Sequence, residues 1–274
     1  MNSPTEECST VKGTASKDQI AVVIGGTRGI GWAICRALCL QGAQVVTCGS
    51  SIESVREASR KAAAEELQLD VVQADARREA ELEALIGRAL GIKGHLNTVV
   101  HCAGKALHGD ALATSRSDWD QCIELNLTAP FLAAKSAIPH LAKAPNASLI
   151  FVSSIWAVTA TRRRLAYSVA KAGLAALARN LAVDCGPDGI RVNAVAPGFI
   201  ETDLLARSQR EISPSANLMP EIIAKHPLRR IGLPSEVGEL VGFLASPEAA
   251  FITGQLIVID GGITTQSGLA DLWK

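Results

Sequence analysis

Seven short apolar runs recur along the chain, at Ile20–Ile24, Gln44–Cys48, Asp70–Gln73, Leu96–Cys102, Ser148–Ser153, Ile190–Ala196 and Gln255–Ile259, rich in β-branched residues. Longer segments rich in Ala, Leu and charge separate them, over 29–41, 52–67, 77–90, 117–142, 165–185 and 234–245. Strands that are apolar throughout, instead of at every second position, are covered on both faces, and the intervening helices supply the cover. The alternation therefore predicts a doubly wound α/β fold of Rossmann type, a seven-stranded parallel sheet with helices on both faces. Gly42 and Gly186-Pro187 stand where the first and fifth helices should stop.

A chain of 274 residues with 48% hydrophobic content can bury one large core, and one domain over 18–274 is expected. Residues 1–17 are polar and lack the apolar stretch of a secretory signal, which reads as a flexible tail. Residues 198–230 carry Pro214, Pro220 and Pro227 and mixed polarity, as expected of a substrate lid laid over the sheet. With 27 acidic and 27 basic residues the net charge is zero, which argues against nucleic acid as a partner. No apolar run approaches the length of a membrane span, so no membrane association is expected. The seven cysteines form no CxxC pair and fall mostly in apolar segments, which fits a reducing, cytoplasmic setting. No His, Cys and carboxylate cluster has metal-ligand spacing.

The first strand runs into Gly25-Gly26-Thr27-Arg28-Gly29-Ile30-Gly31, followed by an amphipathic helix. Glycines at a strand-to-helix turn let the backbone approach a pyrophosphate, and the first turn of the helix supplies free N–H donors. Such glycines also serve packing alone, so the turn needs company. Tyr167, the only tyrosine, and Lys171 share a helix face at i and i+4, and Ser154 lies thirteen positions earlier at a strand end.

Together these features resemble the short-chain dehydrogenase/reductase family over about residues 18–265. Its usual TGxxxGIG opening is present with Ile24 in place of threonine, and His101-Cys102-Ala103-Gly104 stands where the family has NNAG. Asn126, Ser154, Tyr167 and Lys171 match the catalytic set, and Pro197-Gly198, Thr202, Ile252-Thr253-Gly254-Gln255 and Asp260-Gly261-Gly262 follow in the family's order. The nearest type is that of 3-oxoacyl-carrier-protein reductases and secondary-metabolite ketoreductases.

The resemblance implies a reversible reduction of a small-molecule ketone. Hydride delivered to carbon leaves charge on oxygen, so a proton donor must stand at that oxygen. A phenol with an ordinary pKa of about 10 needs a neighbouring cation to exchange its proton near neutrality. By resemblance Tyr167 is that donor and Lys171 the cation, Ser154 polarises the carbonyl, and Asn126 positions a water that connects Lys171 to solvent. The implied cofactor contacts come from Gly25, Thr27, Arg28, Gly29, Ile30, Gly31, Ser50, Asp75, Ala76, Cys102, Ala103, Gly104, Tyr167, Lys171, Pro197, Gly198, Ile200 and Thr202. Asp75 is expected at the adenine. The same residues would also serve an imine substrate, and a non-catalytic cofactor-binding scaffold would keep the fold while having no need of the full catalytic set.

At the end of the second strand, Thr47-Cys48-Gly49-Ser50-Ser51 offers no carboxylate for a ribose 2′-OH, whereas Arg28 can reach a 2′-phosphate. NADP(H) is therefore the expected cofactor. His101, at the end of a buried strand, reads as a core group outside the catalytic set. Arg162-Arg163-Arg164 borders the expected pocket, which suits either a solvated loop or an anionic substrate, and Trp156 is placed to line an aromatic or cyclic substrate or to pack. A homotetramer is implied through 117–142, 165–185 and Phe251–Lys274, with Leu269, Leu272 and Trp273 suited to a subunit contact.

Overall fold

In a computed structural model, which describes residues 18–205 and 218–265, the seven apolar runs form one sheet. The strands are β1 (Ile20–Ile24), β2 (Gln44–Gly49), β3 (Leu69–Gln73), β4 (Thr98–His101), β5 (Ser148–Val152), β6 (Arg191–Pro197) and β7 (Leu256–Ile259). They pair in the order β3-β2-β1-β4-β5-β6-β7, all parallel. The helices are α1 (Gly29–Leu40), α2 (Ile52–Ala64), α3 (Glu79–Lys93), α4 (Arg116–Ile123), α5 (Ala129–Leu141), α6 (Leu165–Cys185), α7 (Met219–Ala224) and α8 (Pro234–Ala245).

Continuous apolarity of β1 and β5 follows from cover on both faces. One core joins Ile20, Val22 and Ile24 with α3, α5 and α6, and the other joins Ala21 and Val23 with α1 and α8. Phe151 of β5 is fully buried in the first, a burial that contributes about 1.5–3 kcal/mol. On the other face α1 and α8 approach so closely that a Cβ at Gly238 would lie 2.6 Å from the Ala33 carbonyl oxygen.

The expected helix over 117–142 is interrupted. Its first part, α4, passes through a π-helical turn at Glu124–Thr128, where the Ala129 N–H reaches back to Glu124, before α5 begins. The buried Asn126 sits in that turn and its side-chain amide donates to the Cys122 carbonyl at 2.9 Å. The expected helix over 52–67 stops at Ala64 because Glu66 adopts a left-handed φ of 52°. The helix expected at 77–90 runs Glu79–Lys93 and ends at Gly94, φ 78°.

Residues 1–17, residues 206–217 of the expected lid, and Leu269, Leu272 and Trp273 lie outside the described residues. The described flanks of the lid segment meet through a bridge between Ile200 and Gly232, with α7 between 218 and 225. Among the described residues no helix is long and apolar enough to cross a membrane.

Candidate active site

The strand order reverses between β1 and β4, and the chain opens there into a cleft at the carboxyl ends of both strands. The glycine turn forms one wall. Gly25 has φ 88°, and a Cβ on it would sit 2.7 Å from the Ala103 backbone, while a Cβ on Gly31 would sit 2.1 Å from the Gly25 carbonyl oxygen. Both positions exclude a side chain, which leaves bare backbone and the start of α1 facing the cleft. A cavity of about 620 Å³ extends from here and is lined by every residue expected at the cofactor. Its size falls in the range of ligand pockets.

The same cavity brings Ser154, Trp156, Tyr167 and Lys171 together. The end of β5 places Ser154, whose hydroxyl accepts the Trp156 N–H at 3.3 Å and lies in hydrogen-bonding reach of the Tyr167 phenol. One turn along α6, the Lys171 ammonium lies 5.6 Å from the centre of the Tyr167 ring and donates to the Val152 carbonyl at 3.0 Å. Burial pushes the phenol up to about 12, against which the Arg164 charge and the Ser154 hydrogen bond act. Burial pushes Lys171 the other way, down to about 8, because there the charged form is the protonated one. The cation that acts most on the phenol is thus Arg164, and Lys171 is left able to exchange protons close to neutrality.

Asn126 lies just behind this pair and does not line the cavity. Its amide donates to the Lys105 carbonyl at 3.0 Å and its oxygen accepts the Lys105 N–H at 3.3 Å, which clips the loop after β4 to the π turn. Between them, a Cβ on Gly104 would meet the Asn126 oxygen at 2.8 Å and the Lys171 ammonium at 3.3 Å. His101 is buried within β4, outside the cavity lining, and burial pushes its pKa down to about 3, so its ring stays neutral. The Cys102 thiol is pushed up to about 12 by burial and is likewise uncharged.

At the opposite end, Asp75 lines the cavity but its carboxylate is held by Arg77, at 2.9 Å from Nε and 2.6 Å from Nη2. This pairing keeps its carboxyl below the usual range. Arg28 is exposed and lines the cavity, as do Ser50 and Ser51. Gly49 is more than a missing acid: a Cβ there would lie 2.6 Å from both Cγ2 and Oγ1 of the buried Thr27. Thr202 stands over the glycine turn, its Cγ2 3.4 Å from where a Gly29 Cβ would be.

Trp156 meets Phe199 edge-on at 6.2 Å, and Phe199 meets His226 at 5.7 Å, so the tryptophan both packs and lines the cavity. Of the three consecutive arginines, only Arg164 is buried and lines the cavity. The sequence reading missed Phe199, Lys105 and the Val152 carbonyl. The first two carry no motif, and a backbone acceptor leaves no trace in residue identity.

A family model described as enoyl-(acyl carrier protein) reductase matches residues 24–264. The chain is 36% identical to a cis-4-hydroxycyclohexanecarboxylate dehydrogenase of Sinomonas cyclohexanicum, over 92% of this chain and 99% of that one. It is 33% identical to a tropinone reductase homolog of Datura stramonium, over 89% of this chain and 91% of that one. Among solved structures, an actinorhodin polyketide ketoreductase variant with NADPH superposes with a TM-score of 0.85 at 27% identity, covering 92% of this chain and 99% of that one.

Proposed function

The chain belongs to the short-chain dehydrogenase/reductase family, and from that premise we propose that it is an NADP(H)-dependent reductase of ketones, reversible toward the secondary alcohol. The carrying observation is that Ser154, Tyr167 and Lys171 line the same cavity as the side-chain-free glycine turn. The turn fits a dinucleotide, since Gly25, Gly29 and Gly31 line the cavity ahead of α1 with no side chain in the way. The absence of an acid on β2, with Arg28 exposed in the cavity lining, favours the phosphorylated form. When bound, the nicotinamide supplies or accepts hydride.

The chain's own residues handle the proton. Ser154 Oγ donates to the substrate oxygen and orients it toward the Tyr167 phenol, which releases its proton as charge develops there. Lys171, poised near pH 8, lies next to the phenol and replenishes it, and Asn126 fixes the loop through which water reaches Lys171. Trp156 and Phe199 offer a flat apolar wall, which suits a ring-borne carbonyl, in line with the cyclic alcohol in the name of one relative.

The reading extends to a cytoplasmic homotetramer with the segment 198–230 as lid. Phe131, Val169, Val183 and Phe251 stand exposed on the elements concerned, and the six cysteines among the described residues are free. Light scattering that returned a monomer would remove the assembly. The activity is tested by calorimetric titration with NADPH and NADH, then by ketone turnover with wild type and Tyr167→Phe. Tighter NADPH binding and turnover lost in the variant are expected; binding of neither nucleotide would overturn the proposal.

A further inference from the structure

Arg162, Arg163 and Arg164 are neighbours in sequence with different surroundings. Arg163 adopts a left-handed φ of 59°, and the reversal leaves Arg162 and Arg163 exposed while Arg164, 8% exposed, turns to the cavity. The position is fixed by backbone. The Gly109 N–H donates to Arg163 at 3.0 Å and the Leu165 N–H to Gly109 at 3.3 Å, which brackets Arg164 against Gly109. Arg164 also caps α6, one turn before Tyr167, so the two side chains rise from the same end of that helix face.

A guanidinium is charged at every accessible pH. Its five N–H donors form a planar fork that matches a carboxylate with two parallel hydrogen bonds. Lys105 lines the same cavity, where the Asp75 carboxylate is held by Arg77. The Arg164 charge is felt at the reacting end, since it is the strongest influence holding the Tyr167 phenol down. Both groups line one cavity, so a ligand that touches both carries its reacting oxygen and its anion on the same molecule.

We infer that Arg164 is a specificity-determining residue that binds a carboxylate on the substrate, which makes the substrate class a keto acid and its hydroxy acid. The inference rests on the reductase reading of the same cavity, and its test is arranged to fail separately.

The probes are cyclohexanecarboxylate and the neutral cyclohexanecarboxamide, neither of which can be reduced as a ketone. Their binding is measured by calorimetry on full-length protein saturated with NADP+, and again with NAD+. The acid should bind at least tenfold tighter than the amide, the effect of one charge-assisted pairing. Arg164→Gln should erase that ratio and Arg164→Lys should restore part of it. A residue that only tuned the phenol would move both probes alike and leave the ratio intact. Equal binding of acid and amide, binding of neither, or an acid preference that survives Arg164→Gln overturns the assignment. Turnover of neutral cyclohexanone tests the reductase reading independently: a protein with the acid preference but no turnover keeps the carboxylate site and loses the reaction.

Discussion

An acid at Gly49 is the substitution that, by family logic, should turn cofactor preference toward NAD(H), yet the fold opposes it. A Cβ there lies 2.6 Å from two atoms of the β-branched, buried Thr27 and 2.8 Å from the Ser54 hydroxyl. Ser54 can rotate away, whereas Thr27 cannot move without shifting the glycine turn. Forcing an added group into such a space costs about 1–3 kcal/mol. Replacing glycine where φ is not left-handed returns about 0.4–1 kcal/mol through the unfolded chain. Gly49→Asp should therefore destabilise by about 1–2 kcal/mol, a fall in melting temperature of roughly 2–8 °C for a domain of this size. Thr27→Ala removes both offending atoms, so the double variant should recover most of the loss. A coupling of about 1 kcal/mol or more between the two positions is the expected reading of the thermodynamic cycle. Nucleotide titration of the double variant should then show the gain in NADH affinity that the single variant cannot deliver. If Gly49→Asp melted like wild type and Thr27→Ala conferred nothing, the steric account of β2 would be refuted.

Tyr167→Phe should lower turnover by about 10²–10⁴-fold while nucleotide affinity by calorimetry stays within a few fold; equal loss of both would mean a structural role. Lys171 has a folded pKa of about 8 against 10.5 ordinarily, so its charge is penalised in the fold and stability rises as pH climbs from 8 to 10.5. In denaturant melts of the nucleotide-free protein, wild type should gain up to roughly 3 kcal/mol on Lys171→Met over that window; a pH-independent difference would contradict the burial account. Glu236 caps α8 through the Leu233 N–H at 2.7 Å and pairs with Arg230 at 2.5 Å, which holds its carboxyl down to about 2. Its stabilisation is present above the ordinary carboxylate pKa and fades as pH falls toward 2. Because the pair is partly exposed, Glu236→Gln should cost at most about 1 kcal/mol at pH 7, more than half of it gone by pH 3; a constant deficit would rule this out.

The sheet was legible because parallel strands covered on both faces must be apolar throughout, and each run from Ile20–Ile24 to Gln255–Ile259 marks a strand to within three residues. That Ser154, Tyr167 and Lys171 meet in one cavity was legible because the chemistry expected of them demands residue types at fixed spacing. What stayed hidden depends on single backbone angles or on space. Nothing in three identical arginines tells which one faces inward, since the φ of Arg163 decides it. Gly49 reads as the absence of an acid, while the volume taken by Thr27 exists only after folding. The interruption at 124–128 was invisible because Glu-Leu-Asn-Leu-Thr has no helix-breaking residue.

That interruption has a consequence for how the chain can vary. A π turn holds one residue more than the α-helix it replaces, and each residue rotates a helix by about 100°. Losing any one residue of 124–128 would let α4 and α5 fuse into a straight, better hydrogen-bonded helix. Because the turn absorbs that extra residue, the same deletion would leave Ala129, Ala133 and Ala137 facing the core they now fill and would remove only the widened turn that carries Asn126 to the loop it clips. A change of three nucleotides that improves the local helix thus keeps the packing layer and costs the clip between Asn126 and Lys105. Length variation among descendants of this chain should accordingly spare 124–128 even where the side chains on its outer surface drift.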